Sequence, residues 1–139
     1  MDPNNADAYL QLSTALAFAG EPEKALPLVK ESMRLNPNYS FLTMFTVGQV
    51  NYMLGNLDEA VAFFEQGVSR NPNFIGNLIY LAAVYSQMGD QGKAQTCVAK
   101  LKAESVEGPL RQMAELIPFK FEKDKRRLTD ALRNAGLAV

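Results

Sequence analysis

The sequence predicts an all-α protein: a superhelix of three antiparallel helical hairpins followed by C-terminal capping helices. Three observations predict it. A glycine with an alanine five residues on recurs as Gly20/Ala25, Gly55/Ala60 and Gly89/Ala94, at intervals of 35 and 34 residues. A second element, Asp2-Pro3-Asn4, Asn36-Pro37-Asn38 and Asn71-Pro72-Asn73, keeps step at intervals of 34 and 35. Between these marks the apolar residues follow helical spacing, and no stretch alternates apolar and polar as a half-buried strand would.

The first helix of each unit is set by its stripe. Tyr9, Leu12, Ser13 and Leu16 stand at i, i+3, i+4 and i+7, as do Met44, Val47, Gly48 and Asn51, and Leu78, Leu81, Ala82 and Tyr85. Gly20, Gly55 and Gly89 then stop that helix. The second helix carries Ala25, Val29 and Ser32, then Ala60, Phe64 and Gly67, then Ala94, Val98 and Leu101. It ends at the Asn-Pro pairs, because proline disfavours helical backbone in the residue before it. Small residues at Ser13, Gly48 and Ala82, facing Ala25, Ala60 and Ala94, predict a close approach of the two helices. The one additional residue between Pro37 and Gly55 belongs in the loop at 38–40, since an insertion inside a helix would turn its buried face by about 100°.

Beyond Ser105 the period fails. Pro109 to Ile117 reads as a short helix, Pro118-Phe119 as a turn, and Glu122 to Ala135 as a longer helix with Leu128, Ala131 and Leu132 on one face and Gly136 as its stop. Residues 1–105 are thus read as three repeats, at about 6–37, 41–72 and 75–105, and 106–139 as a cap over the last apolar face. The opening Asp2-Pro3-Asn4-Asn5 has the form of the close of a preceding unit, from which we expect a longer protein.

These residues resemble the tetratricopeptide repeat family, whose pattern runs aromatic-x₂-Leu-Gly/Ala-x₂-Tyr, then Ala-x₃-Phe, then Pro on a 34-residue period. The third unit carries it in Leu81, Ala82, Tyr85, Gly89 and Ala94, and the second in Gly48, Gly55, Ala60, Phe64 and Pro72. The first is looser, with Tyr9, Leu12, Gly20, Ala25 and Pro37, and Asn51 and Leu101 depart from the pattern. The resemblance implies a right-handed superhelix that binds protein partners in a concave groove lined by the first helices. In addition, Asn71-Pro72-Asn73-Phe74, Leu81-Ala82-Ala83-Val84-Tyr85, Ile117-Pro118-Phe119-Lys120 and Leu132-Arg133-Asn134-Ala135-Gly136-Leu137 together resemble the C-terminal repeat region of bacterial class III adenylate/guanylate cyclases and related signalling proteins. That resemblance implies an alternative role as the regulatory or dimerisation arm of such a signalling protein.

Composition excludes several chemistries. The chain has 139 residues, 47% of them hydrophobic and 21% charged, as in a globular domain. Fourteen basic and fifteen acidic side chains leave a net charge of −1, with no general drive toward nucleic acid or an anionic membrane. Histidine is absent and Cys97 is the single cysteine, so His/Cys zinc sites and His-dependent nucleophilic dyads or triads cannot be built within the chain. Cys97, among Ala94, Val98 and Leu101, reads as a packing residue. The N-terminus lacks the basic and apolar regions of a signal peptide, and no apolar run reaches the roughly 20 residues that span a bilayer. We expect a cytoplasmic protein with no cofactor, no nucleic-acid partner and no membrane partner.

Gly89-Asp90-Gln91-Gly92-Lys93 imitates a phosphate loop, but the spacing is short, Ala94 stands where Ser or Thr belongs, and no strand precedes it. It reads as a hairpin turn. Asp58 and Glu59 open a second helix, where carboxylates complement the helix dipole. No catalytic constellation emerges, and the chain is read as no enzyme. The basic tail from residue 106, with Lys120, Lys123, Arg127 and Arg133 interspersed with Glu122, Asp124 and Asp130, reads as a solvated helix face.

What remains is a surface. The faces of the first helices turned away from their hairpin partners carry Leu10, Thr14 and Phe18, then Phe45, Gln49, Tyr52 and Met53, then Ile79, Ala83 and Gln87. The resemblance implies that these ten residues line the groove. They offer no Lys or Arg to clamp a carboxylate, and instead suit an apolar peptide or helix. The alternative for each is packing between repeats. Tyr9, Leu12 and Leu16, at the open end of the array, predict weak self-association into a homodimer.

Overall fold

The computed structural model describes residues 3–103 and 118–137, and every regular element among them is helical. Helices α1 (Pro3–Phe18) and α2 (Pro22–Leu35), α3 (Phe41–Leu54) and α4 (Leu57–Arg70), and α5 (Ile75–Gln87) and α6 (Gln91–Ala103) form three hairpins, and α7 spans Glu122–Ala135. The second helix of each hairpin packs on the first helix of the next, and the first helices α1, α3 and α5 touch in succession. The result is a superhelix of stacked hairpins. The expected helix at 109–117 and the expected boundary at 105/106 lie outside the described residues.

Turn chemistry explains the repeated signatures. At the end of α3, Gly55 takes φ +84° and its N–H closes onto the carbonyls of Asn51 and Tyr52, a left-handed cap that glycine adopts without steric cost. Asn36 and Asn71 each accept, through the side-chain oxygen, the N–H of the residue two positions on, at 3.2 Å. An asparagine before proline therefore ends one hairpin and shapes the turn into the next. The loop between α2 and α3 runs over residues 36–40 and that between α4 and α5 over 71–74, so the additional residue sits in a loop and leaves the helical faces in phase.

Inside the hairpins, side-chain size is matched across the interface. Gly48 on α3 receives the ring of Phe64 on α4, and both are buried. One repeat away, the equivalent positions are Ser13 with Val29 and Ala82 with Val98, all buried. The first hairpin adds two clamps: Ser13 Oγ donates to the Ala25 carbonyl at 2.8 Å, and Ser32 Oγ donates to the Ala6 carbonyl at 2.7 Å. Asn51, at a place where the repeat pattern prefers an aromatic, is buried, donates to the Val47 carbonyl at 2.9 Å and accepts from Asn56 Nδ2 at 3.2 Å. It braces the turn that an aromatic would only cover.

The main core runs from Tyr52 through α4, α5 and α6 to Leu128, Ala131, Leu132 and Ala135 of α7. Helix α7 lies chiefly along α5 and only marginally along α6. Because α5 is a first helix, its partner α7 extends on the side of the superhelix that the first helices line.

Candidate partner-binding face

The middle hairpin shows how this face is built. Helix α3 is buried almost continuously from Thr43 to Tyr52, because α1, α2, α4 and α5 flank it. Phe45 is half-buried in an aromatic cluster, with ring centroids 5.3 Å from Tyr80 and 5.4 Å from Phe74 in edge-to-face arrangements. Tyr52 is 2% exposed and meets Tyr80 edge-on at 5.6 Å. Gln49 is fully buried and its Nε2 reaches the Tyr80 hydroxyl at 3.5 Å. These three expected groove residues therefore join α3 to α5.

The outer hairpins divide differently. Thr14 Oγ1 lies 3.2 Å from Thr46 Oγ1, a contact between α1 and α3 on the same face. Leu10 and Phe18 are half-buried, as is Met53. Ile79 and Ala83 are buried in the cluster that includes Leu128, Ala131 and Leu132, while Gln87 is exposed. The reading by spacing missed Leu42, which is 45% exposed. It precedes Phe45 by three residues and Gln49 by seven, so the same helical stripe contains it.

The other contributors came from outside the repeats. Residues 118–127 run past the C-terminal ends of α1 and α3. The Phe119 ring meets that of Phe18 at a tilt of 59°, with centroids 5.1 Å apart, and the Lys120 N–H donates to the Phe18 carbonyl at 2.8 Å. Phe121 lies over Gly20, in space that a side chain there would need. Arg127 donates to the Met53 carbonyl at 3.4 Å while its guanidinium sits 4.5 Å above the Tyr52 ring. The segment covers Phe18, Tyr52 and Met53 and leaves the Leu10, Thr14 and Leu42 end uncovered by it. Nothing in the periodicity of the repeats marks Phe119 or Arg127 for this role.

Electrostatics follow burial. The Tyr52 phenol is pushed up to about 12 by burial, against the opposing pull of the Arg127 cation and the Gln87 amide. Burial also raises the Tyr80 phenol, and burial together with the Glu65 carboxylate raises that of Tyr85. The Tyr85 hydroxyl donates to Glu65, and Lys93 Nζ lies 5.5 Å over the Tyr85 ring, at the rim of a cleft of about 330 Å³ between α4, α5 and α6. Cys97 lines the same cleft, and burial pushes its thiol up, away from the thiolate form.

The phosphate-loop imitation is a helix cap: Asp90 Oδ1 accepts the Lys93 N–H at 3.1 Å. Among the described residues no cluster of acidic and cysteine side chains has the makings of a metal site, and no helix is long and apolar enough to cross a membrane.

Residues 43–74, from within α3 to the start of α5, match the sequence model of the tetratricopeptide repeat. Among solved structures the chain is similar to MamA, at 20% identity and a TM-score of 0.68, over 96% of this chain and 78% of that one. No curated protein sequence matches. Neither finding bears on the resemblance of the tail to nucleotide cyclases.

Proposed function

We propose that this chain, which carries tetratricopeptide repeats and folds as their superhelix, is a noncatalytic protein–protein interaction module that takes an apolar peptide or helix on its concave face. The observation that carries the reading is the uncovered strip at Leu10, Thr14 and Leu42, continuous with the half-buried edge of Phe45. Leu42 is 45% exposed on a helix otherwise buried for most of its length, so an apolar side chain is held in water by a rigid support. Such preorganised apolar surface binds without first paying for order in the protein. Phe18 and Met53 lie under residues 118–127, where the uncovered strip ends. Phe45, Gln49, Tyr52, Ile79 and Ala83 act from behind by fixing the face's shape.

The test uses peptides selected for binding from an amphipathic library. Leu10→Asp and Leu42→Asp should each abolish capture with little change in melting temperature. Retained capture would remove this face from the proposal.

A second reading rests on Leu12, which is 51% exposed on α1 between the exposed Ala8 and Ala15. This stripe supports weak homodimerisation. Light scattering should show a mass that rises with concentration and falls back to the monomer in Leu12→Lys; a constant mass excludes it.

A further inference from the structure

The third hairpin carries a cleft that the repeat pattern does not call for. It opens between the second helices α4 and α6, with α5 as its floor, and not on the face that the first helices line. Its volume of about 330 Å³ is at the lower end of the range for ligand pockets.

The depth of the cleft has a local cause. Three residues after the repeat alanine stand Leu28, Phe63 and Cys97. A large side chain thus holds this position in α2 and α4, and a small one holds it in α6. The matching groove of the second unit meets α3 at Met44, the counterpart of Leu78, whereas that of the third unit also opens over Leu81 and Tyr85. Leu78, Leu81 and Cys97 are at most 9% exposed, so the floor is apolar and set in the core.

The two ends of the cleft differ. Helix α5 runs against α4 and α6, which places Tyr85 at one end and Leu78, with Ser69 and Lys100, at the other. The Tyr85 end is satisfied from within. Its hydroxyl donates to Glu65, and Lys93 lies over its ring and 3.9 Å from Asp90. At the Leu78 end, no carboxylate among the described residues pairs with Lys100, and no hydrogen bond holds the Ser69 hydroxyl. The cation is also particular to this unit, since Glu31 and Gln66 stand at the matching places. An apolar floor that ends at an unpaired ammonium and a free hydroxyl complements an apolar group carrying an anion.

We propose that this cleft is a second binding site, independent of the concave face, for a partner segment in which a large apolar side chain is followed by Asp or Glu. The apolar side chain takes the space left by the small Cys97. The carboxylate accepts hydrogen bonds from Lys100 and Ser69. Glu65, at the opposite end, repels a carboxylate that enters the other way round and so fixes the direction of the segment.

The experiment uses the full chain and a capped tetrapeptide, Ser-Phe-Glu-Ser, with Ser-Phe-Gln-Ser as its neutral counterpart, read by methyl chemical shifts. The acidic probe should give saturable shifts at Leu78 and Leu81 with Leu10 and Leu42 unmoved. The neutral probe should bind about three- to fivefold more weakly. Lys100 is exposed, so Lys100→Glu leaves the fold intact; it should reverse the preference between the probes, and Lys100→Arg should keep it. Cys97→Phe puts the second unit's side chain into the third and should abolish binding of both probes, its fold being checked by thermal melting. Absence of saturable shifts at Leu78 and Leu81 overturns the site. Equal binding of the two probes, or a preference that survives Lys100→Glu, overturns its anion end, and this holds even where Cys97→Phe fails to fold. Retained binding by a folded Cys97→Phe overturns its floor.

Discussion

Gly48 and Phe64 form a hole and its filling: a Cβ on Gly48 would stand 2.5 Å from Phe64 Cε1. The pair joins α3 to α4 in the middle hairpin. Gly48→Leu should cost about 1–3 kcal/mol through overpacking, lowering the midpoint by several degrees in a thermal melt. An unperturbed melt would show that the hairpin is looser than this contact implies.

The first hairpin uses hydroxyls where the second uses a hole. Ser13 and Ser32 are buried, and each clamps a carbonyl of the opposite helix. Ser13→Ala and Ser32→Ala should each lower stability by about 0.5–1.5 kcal/mol, the net worth of one internal hydrogen bond. Because the two clamps lie at opposite ends of the hairpin, the double variant should lose close to the sum. Chemical denaturation measures both.

Burial of the tyrosines makes stability fall at alkaline pH. A phenol whose folded value is raised favours the native state fully below the unfolded value near 10, and that advantage is lost as pH rises through the folded value. For Tyr52 the window runs from about 10 to about 12. Melting temperature should therefore decline over that range in the wild type and less steeply in Tyr52→Phe. Identical pH profiles would place the Tyr52 hydroxyl in water.

Cys97 should behave as a core atom. Its thiol is buried and raised, so alkylation by iodoacetamide at neutral pH should be slow in the native protein and fast in denaturant. Rapid native labelling would mean that the cleft between α4, α5 and α6 opens readily.

The repeat architecture was legible because its signals are local. A positive-φ glycine at Gly55, an Asn-Pro turn at Asn71 and a small residue at Gly48 each have one physical reason to stand where they do. The helix at Glu122–Ala135 was legible for the same reason, from its apolar stripe and the stop at Gly136. The candidate site was harder to read because exposure depends on neighbours. Helix α3 is apolar around most of its circumference, so spacing alone gives no polar face to set Tyr52 and Gln49 apart from Leu42. The stacking of α1 and α5 on α3, with Arg127 over the Tyr52 ring, decides that Tyr52 and Gln49 are buried and Leu42 is not. Likewise Arg127 read as one more charge on a solvated helix, and its place on the Tyr52 ring follows from where α7 docks, which no local pattern encodes.

The most direct test of the central claim is methyl chemical-shift mapping on the full chain, titrated with a library-selected amphipathic peptide. The account predicts saturable shifts at the methyls of Leu10, Thr14 and Leu42, with Val61 and Val68 on α4 unmoved. Shifts confined to Val61 and Val68, with Leu10 and Leu42 silent, would place the binding surface elsewhere and contradict it.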